Sequence, residues 1–254
     1  MSAEYRVLAQ IYNAVGMDQF AAHMTPRLID YAQRRDWMGR RILDLGCGTG
    51  AAIEWLTRRS YVVVGVDQSP DMLEICRQRL DDAGLNHDLR QLNLREPMPN
   101  IGPADLALAL DVVNETNNLR ELEAIFTSVH AALGDGKLFI FDLHTIQGLA
   151  REGASAESII HNAPNVTVIA QDDFDFERQV FERDHLIFVR DDDHWRRMDG
   201  RRTLRGYPAQ AVASLLQRSG FSIKNVVNLD FVDFEPGSSQ ADRIVFLAEK
   251  MTNG

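Results

Sequence analysis

Ile42-Leu43-Asp44-Leu45-Gly46-Cys47-Gly48-Thr49-Gly50 is a short apolar run that empties into a glycine-rich turn, with an acid two residues before the first glycine. An apolar run bounded in this way reads as a buried strand. Glycines at 46, 48 and 50 clear side chains from a turn where a ligand must lie against bare backbone. Downstream, Val62-Val63-Val64-Gly65-Val66 is a second apolar run, and it ends in Asp67. That acid stands about twenty residues beyond the first glycine, the spacing of a ribose-binding carboxylate. Strand, glycine turn, helix and second strand ending in an acid make a β-α-β unit built around a nucleotide-like ligand.

Two ligand classes fit the glycines. Gly46-x-Gly48-x-x-Ala51 also satisfies the looser nicotinamide or flavin pattern, in which a helix N-terminus faces a pyrophosphate. Asp44 argues against it, because an acid so close to the loop repels a diphosphate and suits a ligand with a cationic ammonium and sulfonium and a single carboxylate. S-adenosylmethionine has that charge pattern. The string Asp-Leu-Gly-Cys-Gly-Thr-Gly at 44–50 closely resembles the first motif of the class I S-adenosylmethionine-dependent methyltransferases, and the resemblance runs through most of the chain.

Bulk properties are compatible with that reading. The chain has 254 residues, 45% of them hydrophobic, enough for one sizeable α/β core with an insertion. No run is long or apolar enough to span a bilayer, and Met1 to Asp18 lacks the basic start and apolar centre of a signal peptide, so a cytoplasmic protein is expected. Cys47 and Cys76 make neither a disulfide framework nor a zinc site. A formal net charge of -10 disfavours a broad nucleic-acid footprint and makes a small molecule the expected partner.

The middle of the chain alternates strands with helices in the manner of a parallel sheet. Thr25-Pro26 reads as an N-cap and first-turn proline opening a helix to about Arg35. Strands are expected near 41–45, 62–67, 89–93, 104–111 and 137–142, with helices from Ser69-Pro70 to Gly84 and over 119–133. Short β-rich runs with acidic breaks over 166–189 suggest an antiparallel insertion; helix returns over 208–219, and strands near 222–232 and 243–249 close the sheet. This order resembles the α/β, Rossmann-like methyltransferase fold, whose seven-stranded sheet ends in an antiparallel hairpin. It is similar more narrowly to the small-molecule enzymes that include sugar N-methyltransferases and glycine N-methyltransferase. The resemblance implies an S-adenosylmethionine-binding core over 1–149 and 207–254, with an N-terminal helical cap, and an antiparallel β lid over 150–206. It leaves a homodimer open.

Residue by residue, it also implies a cofactor site made of Asp44, Gly46, Cys47, Gly48, Gly50, Asp67, Gln68, Leu94 and Asp111. Asn93 stands where relatives usually carry an aspartate near the adenine amine, and Met72 and Leu92 would flank the ring. Tyr12 is the preferred aromatic over the methionyl tail among Tyr5, Tyr12 and Phe20. His23 is a further residue of that cap.

On the acceptor side, Asn114 completes an Asp-x-x-Asn element with Asp111. Methyl transfer from a sulfonium needs chiefly alignment and desolvation, with a base only if the nucleophile arrives protonated. The related sugar N-methyltransferases place a histidine in the loop after the fourth strand, and here Asp111 to Asn118 has none. His144, after the fifth strand, is therefore the expected catalytic group beside Asp111, at the edge where open α/β sheets bind substrate. Arg196, Arg197, Arg201, Arg202 and Arg205 follow Asp191-Asp192-Asp193, near Trp195. Mutual pairing on a solvated hairpin is the simpler reading, and an anion clamp that uses Trp195, Arg197 and Arg202 is the functional one. Asp172-Asp173-Phe174-Asp175 is not expected to bind metal, because adjacent acids on a strand point to opposite faces. The expectation is methyl transfer to nitrogen or oxygen of a small polar metabolite, yielding S-adenosylhomocysteine. The alternatives are a tRNA or other macromolecule methyltransferase and a non-catalytic S-adenosylmethionine-binding regulator.

Overall fold

The computed structural model describes residues 2–154, 157–235 and 237–252. The elements in chain order are α1 (Ser2–Ala9), α2 (Gln19–Gln33), β1 (Arg41–Leu45), α3 (Ala51–Thr57), β2 (Val62–Asp67), α4 (Pro70–Asp82), β3 (Asp88–Gln91) and β4 (Ala104–Ala109). A 3-10 turn at Val113–Glu115 leads to α5 (Leu119–Ala132), β5 (Leu133–His144) and α6 (Ile146–Glu152). Then come β6 (Ser158–Ala163), β7 (Val166–Asp175), β8 (Val180–Asp191) and β9 (His194–Arg205), followed by α7 (Ala209–Arg218), β10 (Phe221–Asn228) and β11 (Arg243–Lys250).

Seven strands form one sheet in the order β10-β11-β5-β4-β1-β2-β3, with β11 antiparallel to both neighbours, as expected. The chain runs outward from β1 through β2 to β3, then crosses back to lay β4 on the other side of β1. The carboxyl ends of β1 and β4 therefore diverge at the switch point where open α/β sheets leave a crevice. Side chains alternate across each strand. Phe139 and Phe141 of β5 join Phe126, Phe221 and Phe246 in one core layer, while Ile140 joins Leu28, Ile42, Ile53, Leu56 and Val245 in the other. Ser69 caps α4 by accepting from the Met72 N–H, and Asn118 caps α5 through Glu121.

The second sheet, β6-β7-β8-β9, is wholly antiparallel. Its inner face has three bands. Phe174, Phe181 and Leu204 pack on Leu149 of α6 at one end. Val168 and Ile187 pack on Leu8 and Ile11 of the N-terminal segment at the other. Between them run Asp172, Arg183, His185 and Arg202, so the sheet is anchored at both ends by apolar contacts and lays a polar belt over the interval.

One helix start differs from the expectation. α2 begins at Gln19, so Thr25-Pro26 lies inside it. Thr25 is fully buried and its hydroxyl donates to the Ala21 carbonyl at 2.7 Å, so its side chain is spent on the helix backbone and not on a cap. The apolar face of Met24, Leu28, Ile29 and Ala32 carries the helix through the proline.

Candidate active site

A cleft opens at the switch point. It is lined from the core by Gly46, Gly48, Asp67, Met72, Asp111 and Glu115, and from the N-terminal segment by Tyr5 and Tyr12. Gln68, Leu94 and Arg95 complete one wall.

The loop after β1 does two jobs. Gly46 has φ +65°, and a Cβ there would meet Val112 Cγ2 at 2.4 Å, so this glycine lets the loop pack on the segment after β4. Gly48 has φ +52°, and the nearest atoms to a Cβ would be Tyr12 Cε1 and its hydroxyl oxygen at 3.9 Å. Its bare face looks into the cleft. Gly50 heads α3 and backs onto Cys76. Cys47 is buried behind the loop, its thiol held well above the ordinary range by a hydrogen bond with Cys76 and by burial, and its side chain does not line the cleft.

Two acids support the loop. Asp67 accepts the Gly48 N–H at 2.9 Å through Oδ2 and the Ser69 N–H at 2.8 Å through Oδ1. Burial raises its pKa, and those backbone donors pull it back. As an acceptor-only group, the carboxylate keeps capacity for a ligand hydroxyl beside these backbone donors. Asp44 is 3% exposed at the root of the loop, and its Oδ2 has no partner among the described residues. Burial, aided by Asp67, pushes its pKa up to about 8. An orphaned buried acid under a bare-backbone loop fits a ligand that carries positive charge, and S-adenosylmethionine does.

On the opposite wall, Asp111 follows β4 at φ +64°, an uncommon conformation for a residue with a Cβ. Its backbone N–H is held by Asp142 Oδ1 at 2.7 Å. Its carboxylate takes Arg202 Nη2 on Oδ2 at 2.8 Å, and Arg243 Nη2 and His144 Nε2 on Oδ1 at 2.8 and 3.2 Å. Burial alone would raise its pKa; Arg202, Arg243 and His144 outweigh that and hold it well below the carboxylate range. Arg243 Nε also donates to Asp142 Oδ2 at 2.7 Å, and its guanidinium lies on the Phe20 ring. Asp111, Asp142 and His144 bring three ligand-type atoms within 4.8 Å, but the Arg243 guanidinium already supplies the cation between the two acids.

The expected residues divide. Gly46, Gly48, Asp67, Gln68, Met72, Leu94, Tyr12 and Asp111 converge on the cleft. Asn93 does not line it: its Oδ1 accepts the Arg95 N–H at 3.1 Å and its Nδ2 donates to Glu96, so the side chain is used inside its own turn. Leu92 packs against the core. Asn114 is also corrected: it is 3% exposed, its Nδ2 donates to the carbonyls of His144 and Arg205, and its Oδ1 accepts the His144 N–H. That spent amide ties the 3-10 turn to the ends of β5 and β9. His144 contacts Asp111 but does not line the cleft. Trp195 and Arg197 lie at the far end of the β8-β9 hairpin, exposed, with Arg197 paired to Asp199; only Arg202 of the arginine cluster reaches the Asp111 side of the cleft. His23 is exposed on α2.

Glu115, Asp142 and Arg243 were missed. An acid inside Phe139-Ile140-Phe141-Asp142-Leu143 and an arginine opening the apolar run Ile244 to Ala248 are the signals that mark the last two, since a charge in a buried strand demands a partner. Sequence held no comparable signal for Glu115.

Residues 42–136 match the family model of the methyltransferase domain. Among curated relatives, the chain is 29% identical over 220 residues to "Putative methyltransferase YqeM" of Bacillus subtilis, which covers 83% of this chain and 84% of the relative. Among solved structures, an S-adenosylmethionine-dependent methyltransferase from Clostridium acetobutylicum superposes with a TM-score of 0.82 at 21% identity, over 98% of this chain and 99% of that one. The S-adenosylmethionine-bound amino pentose methyltransferase CalS10 from Micromonospora echinaspora superposes at 0.71 with 18% identity, over 95% and 97%. At these identities the two structures speak for the fold. The fold is the one these S-adenosylmethionine-dependent methyltransferases share, and the chain carries a methyltransferase domain at 42–136.

Proposed function

We propose that this enzyme methylates a nitrogen or oxygen of a small polar metabolite, in a chamber bounded by the glycine loop, Tyr5, Tyr12 and the Asp111–Arg202 pair. The observation that carries the reading is the roof of the cleft. α1 and β9 meet above it, and Arg202 spans from the second sheet to Asp111 and Glu115. A bounded polar space of this kind suits a metabolite better than a polymer. The likeness to an amino pentose methyltransferase supports a small acceptor. The outer arginines give little support to RNA docking, because Arg197 pairs with Asp199 and Arg201 with Asp184 and Glu182.

In this reading Asp67 receives the ribose hydroxyls, Gly48 lies against the ligand, Met72 and Leu94 flank the adenine beside Gln68, Tyr12 covers the methionyl tail, and Asp44 offsets its positive charge through the loop. The bound cofactor supplies an electrophilic methyl group on a sulfonium. The chain's own share is alignment and exclusion of water. Calorimetry is expected to show binding of S-adenosylmethionine and S-adenosylhomocysteine, with NAD inert; tight NAD binding would overturn the assignment. Asp67→Ala is expected to weaken the complex by about 1–3 kcal/mol, since the ribose hydroxyls lose their charged acceptor. A metabolite-extract screen for release of S-adenosylhomocysteine, with mass analysis of the product, identifies the acceptor and separates an enzyme from a silent cofactor-binding regulator.

A further inference from the structure

The expected proton acceptors are poorly placed for the task. Asp111 has both oxygens engaged by arginine or histidine donors, and those cations hold it ionised too firmly to take a proton. His144 spends Nε2 on Asp111 and lies outside the cleft lining.

Glu115 has the opposite arrangement. It ends the 3-10 turn after β4 and lines the cleft beside Tyr5, Asp111 and Thr116. The Tyr5 hydroxyl and both Arg202 contacts, Nε at 3.3 Å and Nη2 at 3.1 Å, converge on Oε1. No hydrogen bond among the described residues goes to Oε2, and that atom is not sealed from solvent as the orphaned Asp44 oxygen is. One oxygen is clamped from α1 and β9, which fixes the plane of the carboxylate, and the residue itself lines the cleft. Asp111 on this wall is already paired with Arg202 and Arg243, so Glu115 is the lining carboxylate whose second oxygen takes no hydrogen bond among the described residues, which favours an acceptor that arrives as a cation with N–H donors.

We infer that Glu115 is the catalytic base, that its Oε2 receives an N–H of an ammonium acceptor, and that Tyr5 and Arg202 are positioning residues that hold it there. The inference rests on the small-metabolite reading and narrows the acceptor to an amine. In the step, R–NH3+ gives one proton to Oε2, leaving R–NH2 and a neutral Glu115. The nitrogen lone pair then forms the N–CH3 bond as the C–S bond breaks, its electron pair going to sulfur, which becomes a neutral thioether. The product is R–NH2–CH3+, and Glu115 loses its proton to solvent on release. Burial raises the Glu115 pKa, Arg202 and the Tyr5 hydrogen bond counter it, and Asp111 adds to the rise, which makes this carboxylate a stronger base than a free one. The groups facing it are Tyr5 from α1, Tyr12 from the segment after it, Arg202 from β9 and Asp111 after β4.

The test is carbon-13 NMR of protein labelled at glutamate carboxyls and saturated with S-adenosylhomocysteine, with methylammonium as the probe and tetramethylammonium, which has charge but no N–H, as control. The Glu115 signal is the one lost in Glu115→Gln, and retained S-adenosylhomocysteine affinity certifies that the variant is folded. If it is not, the resonance lost in Glu115→Asp assigns the signal. Methylammonium is expected to move this resonance and tetramethylammonium to leave it in place. Tyr5→Phe is expected to shift its titration midpoint upward. With the acceptor isolated in the extract screen, Glu115→Gln is expected to slow turnover about a hundredfold and flatten the acidic limb of the pH-rate profile. A resonance silent to methylammonium, an equal response to both cations, or an unchanged acidic limb would overturn the assignment while S-adenosylhomocysteine binding stays normal. Loss of that binding in the wild-type protein would overturn the methyltransferase reading as well.

Discussion

The two walls of the cleft are built on opposite electrostatic plans. On the β1-β2 side the loop is stretched over an acid with an unpartnered oxygen, and Gly48 presents bare backbone. On the β4-β5-β11 side nearly every polar atom is spent: Asp111, Asp142, Arg202, Arg243 and His144 satisfy one another. The first wall is incomplete without a ligand, while the Asp111–Asp142–Arg243 network of the second is complete as it stands. Cofactor binding therefore has its electrostatic reward on the loop side. The network side supplies a rigid face on which little needs to reorganise.

The largest expected effect tests that the network is structural. Arg243→Met removes the cation shared by Asp111 and Asp142, both nearly buried, and leaves two carboxylates facing each other. Breaking a buried pair from one side costs about 3–5 kcal/mol, because the remaining charge is uncompensated. Urea unfolding of the unliganded protein should show this loss. Adding Asp142→Asn should recover part of it, with a coupling of about 1 kcal/mol or more between the two sites. Additive losses would mean that the two groups do not act as one network, and the contrast between the walls would weaken.

A smaller effect, with a distinct pH signature, belongs to the loop side. Asp44 has a folded pKa near 8 against 3.8 in the unfolded chain. Its protonated form is the one the fold prefers, so its contribution to stability is full below about pH 4, falls through the window between the two values, and is flat above about 8. The slope in that window is about 1.4 kcal/mol per pH unit from this group. Asp44→Asn should remove that slope and unfold at higher denaturant than wild type at pH 8. A cationic ligand favours the ionised acid, so S-adenosylmethionine affinity should climb with pH toward about 8 in the wild type and not in the variant. An unchanged unfolding slope in Asp44→Asn would place the buried charge elsewhere.

The same contrast explains what could be read from sequence. The loop wall is one contiguous β-α-β unit, and its glycines and Asp67 fall within about twenty-five residues of each other, so spacing alone locates them. The succession of strands and helices was also legible from the alternation of apolar runs, and the antiparallel end of the sheet followed from the resemblance to the methyltransferase fold. The network wall is assembled across long separations: Arg243 reaches Asp111 over 132 residues and Arg202 reaches it over 91. No local pattern encodes such a meeting. Asn114 shows the same limit in reverse, because its position was legible while its hydrogen-bond partners at 144 and 205 were not. Pro26 misled because a local capping signal was overridden by the buried face of α2.

The smallest expected effect concerns the arginines that sequence proximity grouped together. On a strand, alternate residues face opposite sides, and β9 pairs residue for residue with β8. Arg202 stands opposite Arg183 on the inner face, whereas Arg197 and Arg201 face outward to Asp199, Asp184 and Glu182. Trp195 is at the turn, half exposed. Exposed pairs of this kind are screened and exchange freely with water. Arg197→Ala and Trp195→Ala should accordingly leave the melting temperature, S-adenosylmethionine affinity and the Michaelis constant for the acceptor within experimental scatter. Arg202→Ala, only a few residues along the same strand, should lower stability and disturb the Glu115 titration together. A rise in the Michaelis constant for either outer variant, with cofactor affinity intact, would mean that the acceptor extends along the hairpin beyond the cleft, and the bounded chamber would give way to an open groove.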